Sequence, residues 1–172
     1  MSESSPATDD GIGAIQIMIA DYSDASHATA LVDLLDAYAQ DPAGGGAALS
    51  AEVRAGLPAA LAARPQAFSV LAFDGAQPVG LVNCIEGFST FACRPLVNVH
   101  DVAVLASHRG QRITQQMFAC VEAEARRRGA CKLTLEVLQG NEPAMRAYAR
   151  EGFVSYQLDP AFGSAMFLQK KL

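Results

Sequence analysis

The chain has 172 residues, 51% of them hydrophobic, and a formal net charge of −5. That length suits one domain with a sizeable core, and that hydrophobic share argues against a disordered chain. The acidic balance argues against a nucleic-acid partner, whose phosphates need a basic surface, and no apolar run reaches the roughly 18 residues of a membrane span. Residues 1–11 are polar and small without apolar period, and read as a tail preceding a single domain over 12–172. The start, Met1-Ser2-Glu3-Ser4-Ser5-Pro6, is the reverse of a signal peptide, so a cytoplasmic protein is expected. Cys84, Cys93, Cys120 and Cys131 lack the paired short spacing of zinc or redox motifs, so reduced, buried thiols and no metal are expected.

Ile15, Ile17 and Ile19 alternate with Gln16 and Met18, as a half-exposed strand would. Asp24 or Ser26 can cap a helix whose Leu31, Leu34, Leu35 and Tyr38 share one face and which ends near Asp41-Pro42. Gly44-Gly45-Gly46 makes a flexible loop before a second helix, about 50–63, interrupted or started by Pro58. Strands over 68–73 and 79–85 flank Asp74-Gly75-Ala76-Gln77-Pro78, which has hairpin chemistry. A strand over 96–105 and a helix over 113–128, stopped by Gly129, come next. A strand over 132–138, a helix over 143–150 and closing strands over 154–158 and 165–168 complete the order. The expected fold class is α/β (α+β): one mixed, mostly antiparallel sheet with helices on both faces.

Between the fourth strand and third helix stands Arg109-Gly110-Gln111-Arg112-Ile113-Thr114. Strand, turn and helix N-terminus is the geometry that gathers backbone N–H groups around a phosphate. Downstream, Asn141, Ala144, Tyr148 and Gly152-Phe153 form a second pattern. Together these segments resemble the GNAT superfamily of coenzyme-A-dependent N-acyltransferases, over roughly the C-terminal two-thirds of the chain. In that family the turn reads Gln or Arg, two free positions, Gly, one free position, then Gly or Ala. Here Arg112 and Thr114 fill the two small-residue slots, where small residues let backbone N–H groups approach a pyrophosphate closely. Arg112 can add a charge and Thr114 a hydroxyl. The other reading is an ordinary loop with Arg112 as a solvated helix-start residue. Replacing both by glycine is expected to loosen the helix start.

The resemblance implies acetyl-CoA as co-substrate. Its pantetheine arm would lie along Val102, Ala103 and Val104, its pyrophosphate over Arg109, Gly110, Gln111, Arg112, Ile113 and Thr114, with a bond from Asn141. A bulge would splay this strand from the one over 132–138. Acyl transfer to an amine needs a base, an oxyanion holder and an acid for the leaving thiolate. By resemblance Tyr148 is the acid, since a phenol of pKa ~10 stays protonated at neutral pH, and a backbone N–H near Val102 or Ala103 holds the oxyanion. His100 stands where several family members place a base, and imidazole titrates near neutrality. Asp101 sits in a slot that can hold a cationic substrate or orient the site. A structural role stays open for both. Before any bulge, Asn98, His100 and Val102 share one face and Val99, Asp101 and Ala103 the other.

The acceptor would enter between the first two helices and the strands near Glu86 and His100. Tyr38, Asp36 and Asp41 on one side and Glu86, Phe88 and Phe91 on the other suggest an acidic mouth with an apolar cover. That suits a small primary amine, a polyamine or an amino sugar. The expected activity is direct acetyl transfer to a small-molecule amine in a ternary complex, by a protein that the resemblance makes a homodimer. No cysteine lies in either motif, which argues against a covalent route. Arg112 and Thr114 favour one alternative, a non-catalytic coenzyme-A-binding or interaction module. A protein or peptide N-acetyltransferase is another, and the loop over 41–49 would obstruct its groove.

Overall fold

Asp24 starts the first helix, its carboxylate accepting from the N–H groups of Ser26 (2.7 Å) and His27 (3.1 Å). These are donors that a helix leaves open at its start. The helix, α1 (Ala25–Gln40), follows strand β1 (Gln16–Ile19). It ends where Pro42 offers no N–H, and Asp41 turns the chain by accepting from Ala43 N–H at 2.9 Å. Ser50 caps α2 (Ala51–Ala62). Contrary to the expected break, α2 runs through Pro58. None of its residues is buried, so α2 lies over the surface of α1 rather than in the core. The computed structural model describes residues 14–156, 159, 161, 163 and 165–171; the expected tail over 1–11 lies outside them.

Strands β2 (Ala67–Asp74), β3 (Gln77–Ser89), β4 (Arg94–Val104) and β5 (Leu133–Leu135) lie in chain order beside β1. All neighbours are antiparallel except β4 and β5, which are parallel and joined by α3 (Ile113–Arg127). Such a parallel pair needs a crossover, and α3 supplies it. The sheet buries both faces. Leu31 and Leu34 of α1 pack with Leu71, Leu81 and Ala103 on one face. On the other, Ile113, Met117, Phe118 and Val121 of α3 cover Val70, Val82, Val97 and Val99. Each fully buried side chain of this size stabilises the fold by about 1.5–3 kcal/mol. A short helix, α4 (Glu142–Arg150), follows β5, with Asn141 as its cap.

Three expectations need correction. Residues 154–156 and 165–168 form no strand: Val154, Met166, Phe167 and Leu168 are all exposed, and an apolar run gains nothing as a strand unless one of its faces is buried. Gln157 and Leu158 lie outside the described residues. Strand β5 is three residues long rather than seven. Cys84 is buried and Cys120 and Cys131 partly so, but Cys93 is exposed in the β3–β4 turn. Among the described residues, no helix is long and apolar enough to cross a membrane.

Candidate active site

The register between β3 and β4 jumps at one point. Asn83 faces Asp101, and Cys84 faces Val99, so His100 is an extra residue without a partner. This is a bulge, and it reverses the expected alternation. Val97, Val99, Val102 and Val104 belong to the α3 face, and Ala103 to the α1 face. Asp101 moves with Ala103 in sense, because its partner Asn83 lies between Val82 and Cys84 of the α3 face. The expected grouping of Asp101 with Val99, and of Val102 with Asn98, therefore fails.

The β4–β5 pairing ends at Val99 with Leu135, the position just before the bulge. Strand β4 continues to Val104 while β5 stops. On the β5 side, the backbone of Asp101, Val102, Ala103 and Val104 thus has no ladder partner among the described residues. A slot opens there.

Three side chains from three elements lie near this slot, close enough to act on one another electrostatically. Tyr38 comes from α1, Asp101 from β4 and Tyr148 from α4. Burial pushes the Tyr148 phenol up to about 12, and the Tyr38 hydroxyl and the Asp101 charge add to the effect. Tyr38 is also raised, first by burial and then by Asp101 and Asp41. Asp101 is therefore near enough to act on both phenols. The Tyr148 ring is fixed edge-on against Phe118 (6.0 Å) and against Phe153 (6.1 Å). Gly152 makes that clamp possible: at φ 86 it turns the chain so that Phe153 N–H donates to the Tyr148 carbonyl at 3.0 Å. His100 is exposed in the bulge.

The turn after β4 leads into the start of α3. Helices α1, α2 and α4 each carry a side-chain cap, from Asp24, Ser50 and Asn141, whereas α3 has none. Its first N–H groups, from Ile113 and Thr114 onward, are thus open to an anion. Gly110 sits at φ 82, and Arg112 at φ 60, ψ 19 is left-handed too. A side chain in that conformation costs about 1–2 kcal/mol. The helix-start expectation is therefore reversed at this position: Arg112 caps α3 from outside it, and Arg112→Gly is expected to raise stability by up to about 1 kcal/mol. Urea unfolding checks this, and a loss of comparable size would show that the Arg112 side chain makes a bond worth more than the strain. Gln111 is exposed. Arg109 turns away from the turn, donating from Nε to the Val104 carbonyl (3.1 Å) and pairing with Asp41 (3.3 Å).

The structure does not bring together all the residues expected at the acceptor mouth. Asp41 is engaged by Ala43 and Arg109. Asp36 accepts from Leu49 N–H (2.7 Å) and pairs with Arg54 (2.6 Å), holding the loop before α2. Glu86 pairs with Arg128 (3.2 Å) at the far end of α3, where Arg128 also stacks on Phe68. Phe88 is exposed, five residues along β3 from Asn83, about 17 Å at the usual strand rise. Asn141, expected against the pantetheine arm, uses Oδ1 to cap α4 through Ala144 N–H at 3.3 Å.

Two groups near the slot were missed. Asn98 Nδ2 donates to Thr134 Oγ1 (3.1 Å) and to the Glu136 carboxylate (3.2 Å), one position before the strands part. Its Oδ1 is buried without a partner among the described residues. A buried orphan acceptor is costly, and a ligand N–H would relieve it. The second group is Asn83 with Ser69. Both are polar residues interrupting apolar strands, and that interruption was the available signal. A cleft of about 320 Å³ between Arg126, Lys132, Glu151 and Phe153 lies at the amino end of β5. Parallel strands bind ligands at their carboxyl ends, so this cleft is not part of the site.

A mixed sheet whose parallel pair parts at a bulge, beside an uncapped helix start, defines an acetyltransferase fold of the GNAT type. The chain belongs to the Acetyltransferase (GNAT) family, which matches residues 31–153. It is 36% identical over 86 residues to a streptothricin acetyltransferase of Streptomyces lavendulae. That match takes in 48% of this chain and 46% of the relative, about half the length of each. Among solved structures, the aminoglycoside acetyltransferase meta-AAC0020 from an uncultured soil metagenomic sample, in complex with sisomicin, superposes with a TM-score of 0.73. It is 14% identical, with 92% of this chain and 96% of that one covered. The same TM-score and identity hold for AAC(6')-Iy in complex with a bisubstrate analogue of coenzyme A and acetylneamine, at 92% and 99% coverage. A ribosomal-protein-alanine N-acetyltransferase from Brucella melitensis biovar Abortus 2308 gives 0.63 at 21% identity, covering 85% and 99%.

Proposed function

We propose that this chain transfers an acetyl group from acetyl-CoA to a primary amine of a small molecule, by direct attack in a ternary complex. The observation that carries this reading is the parting of β4 and β5 at the His100 bulge, with Tyr38, Asp101 and Tyr148 close enough there to act on one another. The residues present suit the co-substrate. The open edge of Val102, Ala103 and Val104 can pair with the amides of the pantetheine arm, and the uncapped start of α3 can receive the pyrophosphate. Asn98 Oδ1 awaits an N–H donor close by. Family membership and the streptothricin acetyltransferase relative support the same reading.

In the proposed step, His100 takes the ammonium proton, directly or through water, and Asp101 holds the acceptor's charge. The nitrogen bonds to the acetyl carbon while an N–H near Val102 or Ala103 binds the oxyanion. The C–S bond breaks, and Tyr148 gives its proton to the departing sulfur. The proton lost by nitrogen on forming the amide balances the one Tyr148 delivers. With Asp36, Asp41 and Glu86 already paired, Asp101 and Glu136 remain as the carboxylates beside the slot. The acceptor is then an amine read by few charges, such as one amino group of a larger polar compound.

Thermal shift and thiol release with acetyl-CoA against pooled amines test this. A ligand at 100-fold excess over its dissociation constant stabilises the fold by about 2.7 kcal/mol, so coenzyme A is expected to raise Tm. No shift at millimolar acetyl-CoA or coenzyme A would remove the enzyme reading.

A further inference from the structure

Ser69 is wholly buried and Asn83 nearly so, in stretches of β2 and β3 whose other buried residues are apolar. Buried polar groups persist where they are bonded to one another. Here four form a line. Tyr22 OH lies 2.9 Å from Ser69 Oγ, Ser69 Oγ 2.6 Å from Asn83 Oδ1, and Asn83 Nδ2 3.0 Å from Asp101 Oδ2. They come from the β1–α1 loop, β2, β3 and β4, so the line crosses the sheet from its edge to the slot.

The direction of every bond follows from its end. A carboxylate only accepts, so Asn83 must present Nδ2 to Asp101. Its Oδ1 is then turned to Ser69, which must donate. The serine has one hydroxyl proton, so Tyr22 must donate to Ser69. All three donors point toward Asp101. Removing the Ser69 hydroxyl frees the amide to turn its oxygen toward the carboxylate.

We infer that Asn83 is a positioning residue, locked by Ser69 and Tyr22, which fixes Asp101 at the bulge and leaves its second oxygen for the acceptor ammonium. This rests on the reading of Asp101 given above. The register puts Asn83 directly opposite Asp101, the pair next to the extruded His100, and the two side chains bond there. The Asn83 amide supplies the fixed contact from across the ladder.

A hydrogen bond to a charged group is typically worth a factor of about 10–100. Asn83→Ala is therefore expected to lower kcat by that factor with KM for acetyl-CoA unchanged. Asn83→Leu, of similar size but lacking the donor, is expected to do the same if the alanine variant folds poorly. Ser69→Ala is expected to show a smaller loss in the same parameter. The deciding measurement is the double-mutant cycle: in an Asp101→Ala background, adding Asn83→Ala is expected to change kcat by less than about twofold. Independent, multiplying effects would overturn the inference while leaving Asp101's role intact. An Asp101→Ala variant with wild-type rates would overturn both. A readout free of turnover is the Asn83 side-chain amide in ¹⁵N spectra, expected to be protected from exchange and to lose protection in Ser69→Ala and Asp101→Ala. An unprotected amide in the wild-type protein would also sink the inference.

Discussion

Tyr148→Phe is expected to slow turnover about 10²–10⁴-fold, the usual worth of a general acid, with acetyl-CoA affinity nearly unchanged. Phenylalanine keeps the ring that packs on Phe118 and Phe153, so only the hydroxyl is lost. The high value of the phenol, about 12, raises a question of matching. A free thiol ionises near 8.5, and a much weaker acid would give up its proton to that thiolate only uphill. Burial reduces the mismatch. The thiol of Cys84, in the same sheet, is pushed up to about 12 chiefly by burial. Desolvation of a leaving thiolate beside Tyr148 would raise its proton affinity in the same direction and so narrow the gap between donor and acceptor. The sign for pH follows: the phenol keeps its proton until pH approaches about 12, so Tyr148 imposes no alkaline fall in rate across the working range. Steady-state thiol release measures both expectations. A phenylalanine variant with wild-type rates would place the donor elsewhere, and an alkaline limb near 10 that disappears in that variant would show a more solvated phenol.

Local chemistry in the sequence pointed to most of the elements, because Asp24, Gly129 and the Asp74–Pro78 turn act within a few residues of themselves. The stripe Ile113, Met117, Phe118 and Val121 likewise needs only helical periodicity to be seen. The bulge at His100 is different. The resemblance implied a bulge in this strand, but its place is set by the pairing of β4 with β3, so the alternation given before any bulge kept Asp101 with Ala103 and wrongly with Val99. The acidic mouth failed for a related reason. Arg54, Arg109 and Arg128 neutralise Asp36, Asp41 and Glu86 across 18, 68 and 42 residues of chain, and no local pattern records such partners. Asn83 was open to notice as a polar residue in the apolar run of β3, but its meaning depends on Ser69 and Asp101, which only the register brings opposite. The expected strands at the C-terminal end had apolar residues, but they leave those residues exposed and unpaired although the outer edge of β5 is open among the described residues.

Phe118→Ala is expected to cost about 3–5 kcal/mol of stability, the range for deleting a fully buried aromatic ring. The further consequence concerns α4. That helix has no fully buried residue, and its anchor is the aromatic cluster in which Phe118 meets Tyr148 at 6.0 Å and Phe153 at 5.5 Å. Phe118 stands in the middle of α3, between Ile113 and Val121, which hold α3 on the sheet independently. Removing its ring therefore takes away the wall behind Tyr148 without detaching α3. The loss is expected to fall unevenly. Hydrogen exchange at Met145 to Glu151 will speed up more than global unfolding explains, while α1 will follow the global change. Phe118→Leu, which refills much of the space, is expected to restore most of the stability and a smaller part of the turnover, because a leucine cannot meet two rings edge-on. Uniform acceleration of exchange across α1 and α4 would show that α4 is held by contacts other than this cluster, and the placement of Tyr148 at the slot would then have another cause.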